Sequence, residues 1–209
     1  MYNQGYKWTD EPSSGGKNVE NRRSLKQYRM VDLTLFAVLL AVFESIIILA
    51  SKRWFPGEPW TVSLTPAITA IVLIRWGPWA GIHAALGGLV LCIGSGAQPA
   101  QFVIYLVGNL FSLLVVPFLR FPGMKEKITS DALRTLGFGL AVLLLMQVGR
   151  GLVSLCFGHG WEKALGFVTT EAVTDLFTLV ILWIVRRLDG LLEDQRHYFR
   201  RIREEVRNP

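Results

Sequence analysis

The chain has 209 residues with a net charge of +6, 51% of them hydrophobic and only 18% charged, and a mean hydropathy of +0.37. The apolar residues come in long blocks instead of at amphipathic spacing, which excludes an ordinary soluble domain and points to an all-helical, polytopic membrane protein. One crossing needs ~20 apolar residues, so about six fit and little remains for a separate soluble domain.

The first thirty residues hold no apolar core of the signal-peptide kind, so the first hydrophobic run is expected to stay as an uncleaved helix. Residues 1–31 read as a polar, flexible cytoplasmic tail with a basic end at Arg22, Arg23, Lys26 and Arg29. Six spans are then expected within a domain of residues 32–187: Leu33 to Ala50, Val62 to Ile74, Trp79 to Ile93, Gln101 to Phe118, Ala132 to Cys156 and Leu165 to Val185. Residues 188–209 carry Leu188, Leu191, Leu192, Phe199, Ile202 and Val206 at helical spacing among Arg and Glu. That pattern suits a basic amphipathic helix on the inner leaflet or on a partner, or a solvated helical tail.

Six spans place both termini on one side. Of the 22 Lys and Arg, 18 fall in the tails and loops of that side and three (Lys52, Arg53, Lys163) on the other, while Arg150 is intramembrane. The excess marks the side of the termini as cytoplasmic. The same placement, beside apolar runs, argues against a nucleic-acid partner for a chain of pI about 9.6.

With this orientation the polar residues of three spans converge in the outer half of the membrane. The run Gly166 to Val185 carries Glu171 and Asp175 four residues apart, on one helical face that Thr178 continues. A charge at mid-bilayer costs about 2.5–3.5 kcal/mol even on insertion scales, so that face must turn inward. Arg150 and Gln147 of the fifth span, with Ser154, and Gln101, Tyr105 and Asn109 of the fourth lie at equal depth. The set reads as a solute pocket: Glu171 or Asp175 accepting from N–H groups, Arg150 holding a carboxylate or neutralising an acid, and Tyr105 offering a stacking face. Interhelical glue, or an internal Arg150–Glu171 ion pair that only holds the bundle, is the alternative.

Trp54 and Trp60 lie in the loop between spans one and two, and His159 and Trp161 between five and six. They suit either interface anchors or a lid over the pocket mouth. Ala37, Ala41 and Ser45 form a small-xxx-small ridge on the first span, along which another helix can approach closely. Glu44, beside it, has no evident role, and His83 reads as a packing histidine. Cys92 and Cys156 read as inert buried thiols, with a bridge left open. No HExxH, GxSxG, Walker-type or Cys/His metal pattern is present, so neither an enzyme nor a metal or cofactor site is expected.

The six spans in about 200 residues, Ala-Val-Leu-Leu-Ala at 37–41 and the run from Leu64 through Thr65-Pro66 to Gly77-Pro78-Trp79-Ala80-Gly81 together resemble the substrate-binding S component of an energy-coupling factor transporter. The resemblance covers roughly Leu33 to Arg187. It implies a plasma-membrane protein of a bacterium or archaeon that captures a vitamin or precursor at the outer face. It also implies docking on a transmembrane T subunit, served by two ATPase subunits, through the face carrying Ala37 and Ala41. The acids, arginine and aromatics suit a heteroaromatic solute with N–H donors, and a carboxylated solute through Arg150 stays open. A similar size and topology belongs to the rod-shape membrane scaffold of the cell-wall elongation machinery, where the polar stripes would bind partner helices instead.

Overall fold

The computed structural model describes residues 14–56, 62–169, 171–188, 190–195 and 198, with side chains from residue 25 onward. Among them the secondary structure is helical throughout. Five helical stretches are long and apolar enough to cross a bilayer: Leu25–Trp54, Thr65–Ser95, Pro99–Leu119, Ala132–Cys156 and Trp161–Val185.

The first helix, α1 (Ser14–Trp54), spans 41 residues, so the polar segment expected to be a flexible tail is helical from Ser14 and continuous with the first span. A single stripe explains this: Leu25, Tyr28, Asp32, Phe36, Leu40, Glu44 and Ile48 recur at three- and four-residue spacing and face the bundle. Leu35, Val38, Val42, Phe43, Ile46 and Leu49 cover the opposite face and are exposed, as a lipid-facing surface should be.

The second stretch is a hairpin. Helix α2 (Thr65–Trp76) ends at Gly77, whose φ of 63° stops the helix, and Pro78 opens the 3-10 turn Gly77–Trp79. Helix α3 (Ala80–Ser95) then runs back, and a Cβ on Gly87 would collide with the Thr65 side chain at the start of α2. All twelve residues of α2 are buried. At 1.5 Å per residue it is about 18 Å long, well short of the ~30 Å hydrocarbon layer. It is a central post sheathed by the other helices, and its first turn lies deep inside the bundle.

Helix α4 (Pro99–Asn109) tightens into a 3-10 segment (Leu110–Val115) before α5 (Val116–Leu119). Pro117 lacks the N–H that would bond back into that turn. A short α6 (Met124–Ser130) leads into the 25-residue α7 (Ala132–Cys156). Helices α4 and α7 meet backbone to backbone: a Cβ on Gly108 would lie 2.6 Å from Arg150 Cα, and one on Gly149 would lie 2.4 Å from Gly108 O. The last expected span is broken into α8 (Trp161–Thr169) and α9 (Ala172–Val185), with Glu171 at the N-cap of α9.

At the end of the bundle where α1 enters, Arg75 closes the structure. Its Nε and Nη2 donate to Asp32 Oδ2 (3.0 Å) and Oδ1 (2.7 Å), and its Nη1 donates to the carbonyls of Gly190 and Leu191, 2.9 Å each. Trp76 Nε1 adds a bond to Asp32 Oδ2 at 2.6 Å. Lys125–Asp194 (2.6 Å) and Tyr28 Oη to Gln195 Oε1 (2.9 Å) hold the same C-terminal segment, and Leu192 is buried in the core. Leu191 and Leu192 therefore pack on the bundle and not on a leaflet. Helical spacing resumes where Tyr198 N donates to Asp194 O at 3.0 Å; Phe199, Ile202 and Val206 lie outside the described residues.

Gly108→Ala should force α4 and α7 apart. Overpacking of this kind costs about 1–3 kcal/mol, so the thermal unfolding midpoint of detergent-purified protein should fall, while Gly137→Ala in α7, which meets open space, leaves it in place or raises it.

Candidate functional site

The close approach at Gly108 sets Arg150 against α4, where its guanidinium carbon lies 5.2 Å from the centre of the Tyr105 ring. Arg150 Nη1 donates to Glu171 Oε1 and Nη2 to Oε2 at 2.8 Å, a two-pronged buried pair, while Nε donates to Met146 O at 3.3 Å. One turn away, Gln147 Nε2 donates to Asp175 Oδ1 at 2.7 Å. Both acids stand at the N-terminal end of α9, Glu171 as its N-cap and Asp175 in its first turn, where the helix dipole favours negative charge.

The deep first turn of α2 supplies the third side. The N–H groups that lead into it are met by side chains: Ser63 N donates to Thr174 Oγ1 (3.2 Å), Leu64 N, at the N-cap, to Glu44 Oε2 (2.8 Å), and Thr65 N to Ser63 Oγ (3.2 Å). Glu44, fully buried in the middle of α1, thus acts as the acceptor that holds the start of α2. Between Ser63, Thr65, Tyr105, Asn109, Arg150 and Glu171 the residual cavity is about 10 Å³, room for roughly one water. On its lining Thr65 Oγ1 is buried without a hydrogen-bond partner, and elsewhere among the described residues so are Glu44 Oε1, Gln147 Oε1, Thr69 Oγ1 and Thr178 Oγ1. In a protein interior such atoms are rare and costly.

Sequence reasoning brought together Arg150, Glu171, Gln147, Asp175, Tyr105 and Asn109, and the structure does so too. Asn109, however, is already engaged, donating to Ala84 O at 3.0 Å as glue between α4 and α3. Gln101 is not at the site: it is exposed and caps α4, accepting from Gln98 N at 2.9 Å. Trp54 (72% exposed) and Trp161 (71%) point outward, as interface anchors do, and border no part of the cavity. His159 Nδ1 lies 2.8 Å from Ser154 Oγ and closes the turn after α7 instead of facing the cluster. Trp60 lies outside the described residues.

On α1, Ala37 and Ala41 are half-buried beside the inward stripe and Ser45 is exposed, with its hydroxyl bonded to Ala41 O at 2.7 Å. His83 is buried with Nε2 3.0 Å from Leu33 O, a packing contact. Neither cysteine is bridged; Cys92 is buried as expected, but Cys156 is exposed. Asp32, Arg75, Glu44, Ser63 and Thr174 were not expected as partners. The spacing of Glu44 and Asp32 on the stripe with Phe36 and Leu40 was the signal that pointed them inward.

A larger cavity of about 490 Å³ lies at the opposite end, between Trp76, Pro78, Leu119, Phe121, Arg120 and Lys125. Its buried cations are already matched, Arg75 by Asp32 and Lys125 by Asp194. The small cluster, with its unpartnered buried acceptors, is the stronger candidate. Compared with protein-family models, with curated proteins and with solved structures, the chain matches none.

Arg150→Met should leave the Glu171 carboxylate buried and unpaired, at a cost of about 3–5 kcal/mol, whereas Arg150→Met with Glu171→Met should recover most of the loss. Thermal unfolding of the single and double variants in one detergent measures the difference.

Proposed function

We propose that this chain is the substrate-binding membrane subunit of an energy-coupling-factor-type importer, taking a small water-soluble vitamin or precursor at the Arg150–Glu171 cluster. The observation that carries this reading is the buried pair itself. It stands at the break between two half-helices, next to a third helix that begins inside the bundle, and beside acceptors that nothing satisfies. Broken helices at membrane depth occur where they are buried in protein or line a cavity, and transporters place binding sites at such breaks.

On this reading the cluster is self-neutralised, with Arg150 and Glu171 each serving as the other's counter-ion. A solute that donates to Glu171 competes with Arg150 for it. Glu171 stands at the N-cap, ahead of the α9 helix proper, so it can exchange partners without unwinding α9. Ser63 and Leu64, just ahead of α2, are held by Thr174 and Glu44, so the start of α2 is coupled to the cluster. Docking on a T subunit uses the α1 face where Ala37 and Ala41 are half-open, and both termini face the cytoplasm in keeping with the basic tails.

One observation favours the scaffold reading, in which the polar stripes serve only the bundle: the residual cavity is about 10 Å³. Mass spectrometry of small molecules released from the purified chain separates the two. A co-purified solute is expected from the native protein and should be lost, at unchanged yield, from Glu171→Gln; no solute from either would retire the transport reading. Ala37→Leu with Ala41→Leu should leave the solute bound and abolish co-purification with a T subunit, and intact assembly would remove the α1 face from the proposal.

A further inference from the structure

The larger cavity, at the end of the bundle where α1 enters, has the room that the Arg150 cluster lacks. Two tight turns wall it, Gly77-Pro78 between α2 and α3 and Phe121-Pro122-Gly123 between α5 and α6, and about 490 Å³ lies between them. A volume of that order suits a small organic group. The charged residues of its back wall are fixed: Arg75 is held by Asp32 and by the carbonyls of Gly190 and Leu191, and Lys125 by Asp194. Arg120 also lines the cavity; it is exposed, and no carboxylate among the described residues pairs with it. Glu126 on the same lining is exposed and unpaired as well, so the surroundings decide which sign of charge is drawn in. By sequence, segments 25–32, 120–134 and 186–195 together with Arg75, which all lie at this end, hold nine Lys and Arg against six Asp and Glu. Their field favours an anion.

The rim of the cavity carries the marks of a bilayer surface. Arg29 lies with its guanidinium carbon 4.6 Å from the centre of the Trp79 ring, and Arg187 in the same way 4.1 Å from Trp183; both tryptophans are exposed. Rings of this kind sit at headgroup level. Trp79 directly follows Pro78 of one cavity wall. On the other wall Phe121 meets Phe118 edge to face, with ring centres 6.4 Å apart, and both are exposed. Leu114, exposed four residues before Phe118, extends the apolar surface away from the cavity. A cavity with a free arginine thus opens beside an uncovered aromatic edge. A free phosphate ion would use the first and leave the second bare, whereas a phospholipid uses both.

We propose that this cavity seats one anionic phospholipid of the surrounding leaflet, with its headgroup phosphate on Arg120 and its acyl chains along Phe118 and Leu114. Basic pockets between membrane helices are suited to such headgroups. Arg75 and Lys125, already paired, give the seat its shape and not its charge. The bound lipid spans the α2–α3 and α5–α6 turns and braces one against the other. This site needs only that the bundle lie in a membrane, and it stands apart from the solute reading of the Arg150 cluster.

The test measures the thermal unfolding midpoint of the detergent-purified full chain with added dioleoylphosphatidylglycerol or dioleoylphosphatidylcholine, and counts retained lipid by native mass spectrometry. Phosphatidylglycerol should raise the midpoint, stay bound as one molecule per chain and bind about fivefold more tightly than phosphatidylcholine, the effect of one basic side chain at a lipid surface. Arg120→Gln should abolish that preference and leave the lipid-free midpoint unchanged, while Arg120→Lys should keep the preference. Arg134→Gln, which removes another exposed cation of this end that does not line the cavity, should keep it too. Equal binding of the two lipids would overturn the proposal. So would a preference that survives Arg120→Gln, or one that falls equally in Arg134→Gln, since the charge read would then be that of the whole surface. Glycerol 3-phosphate alone should leave the midpoint in place; a rise equal to that given by the lipid would make this a site for a soluble phosphate and remove the lipid from it.

Discussion

An ionised group inside a helix bundle must be matched, and two arginine–carboxylate pairs hold this molecule at its two ends. Arg75 with Asp32 ties α2 to α1 and to the C-terminal segment; Arg150 with Glu171 ties α7 to the start of α9. Coulomb attraction alone does not make such pairs favourable, because both partners lose their water. What makes them durable is the surrounding donor and acceptor set. Asp32 accepts from Trp76 as well as from Arg75, and Arg75 also reaches two backbone carbonyls. The far pair is a saturated structural clamp. The Arg150 pair has unsatisfied neighbours, and that contrast is what separates a clamp from a candidate site.

The apolar blocks read correctly as helices because runs of this length have few other ways to satisfy their peptide groups. Convergence of Arg150, Gln147, Glu171 and Asp175 was legible too, since a charge in an apolar run has to face protein. The breaks were not. In the run from Gly166 to Val185 no proline marks an interruption, and Thr169 and Thr170, residue types that favour helix starts, stand inside an otherwise continuous apolar run just before Glu171. Glu171 reads as a mid-helix acid by spacing and is in fact an N-cap.

The misplaced residues share one cause. Gln101 was assigned to the pocket by depth, and Trp54 and Trp161 by loop position as a lid beside the interface-anchor alternative, but neither depth nor loop position says which way a side chain points. Gln101 stands two residues after Pro99 and caps its own helix, a local bond that competes with any long-range role. Glu44 lacked a role because its partner is backbone, the Leu64 N–H, and a backbone donor leaves no trace in the pattern of side chains. The clamp at Asp32 was hidden for a similar reason: Asp32 sits at the junction of tail and span, where an acid ordinarily passes as solvated.

The short central helix has a consequence for biogenesis. Twelve residues cannot carry α2 across the hydrocarbon alone, so the peptide N–H groups of Ser63 and Leu64 just ahead of it need acceptors from other helices, at several kcal/mol for each group left unmet. Glu44 is synthesised before α2 and is ready to receive Leu64, but Thr174 emerges from the ribosome more than a hundred residues later. The nascent chain must therefore hold α2 and α3 as a hairpin at the translocon or in the shelter of α1. The post is seated only when the final helix arrives to close the ring around it.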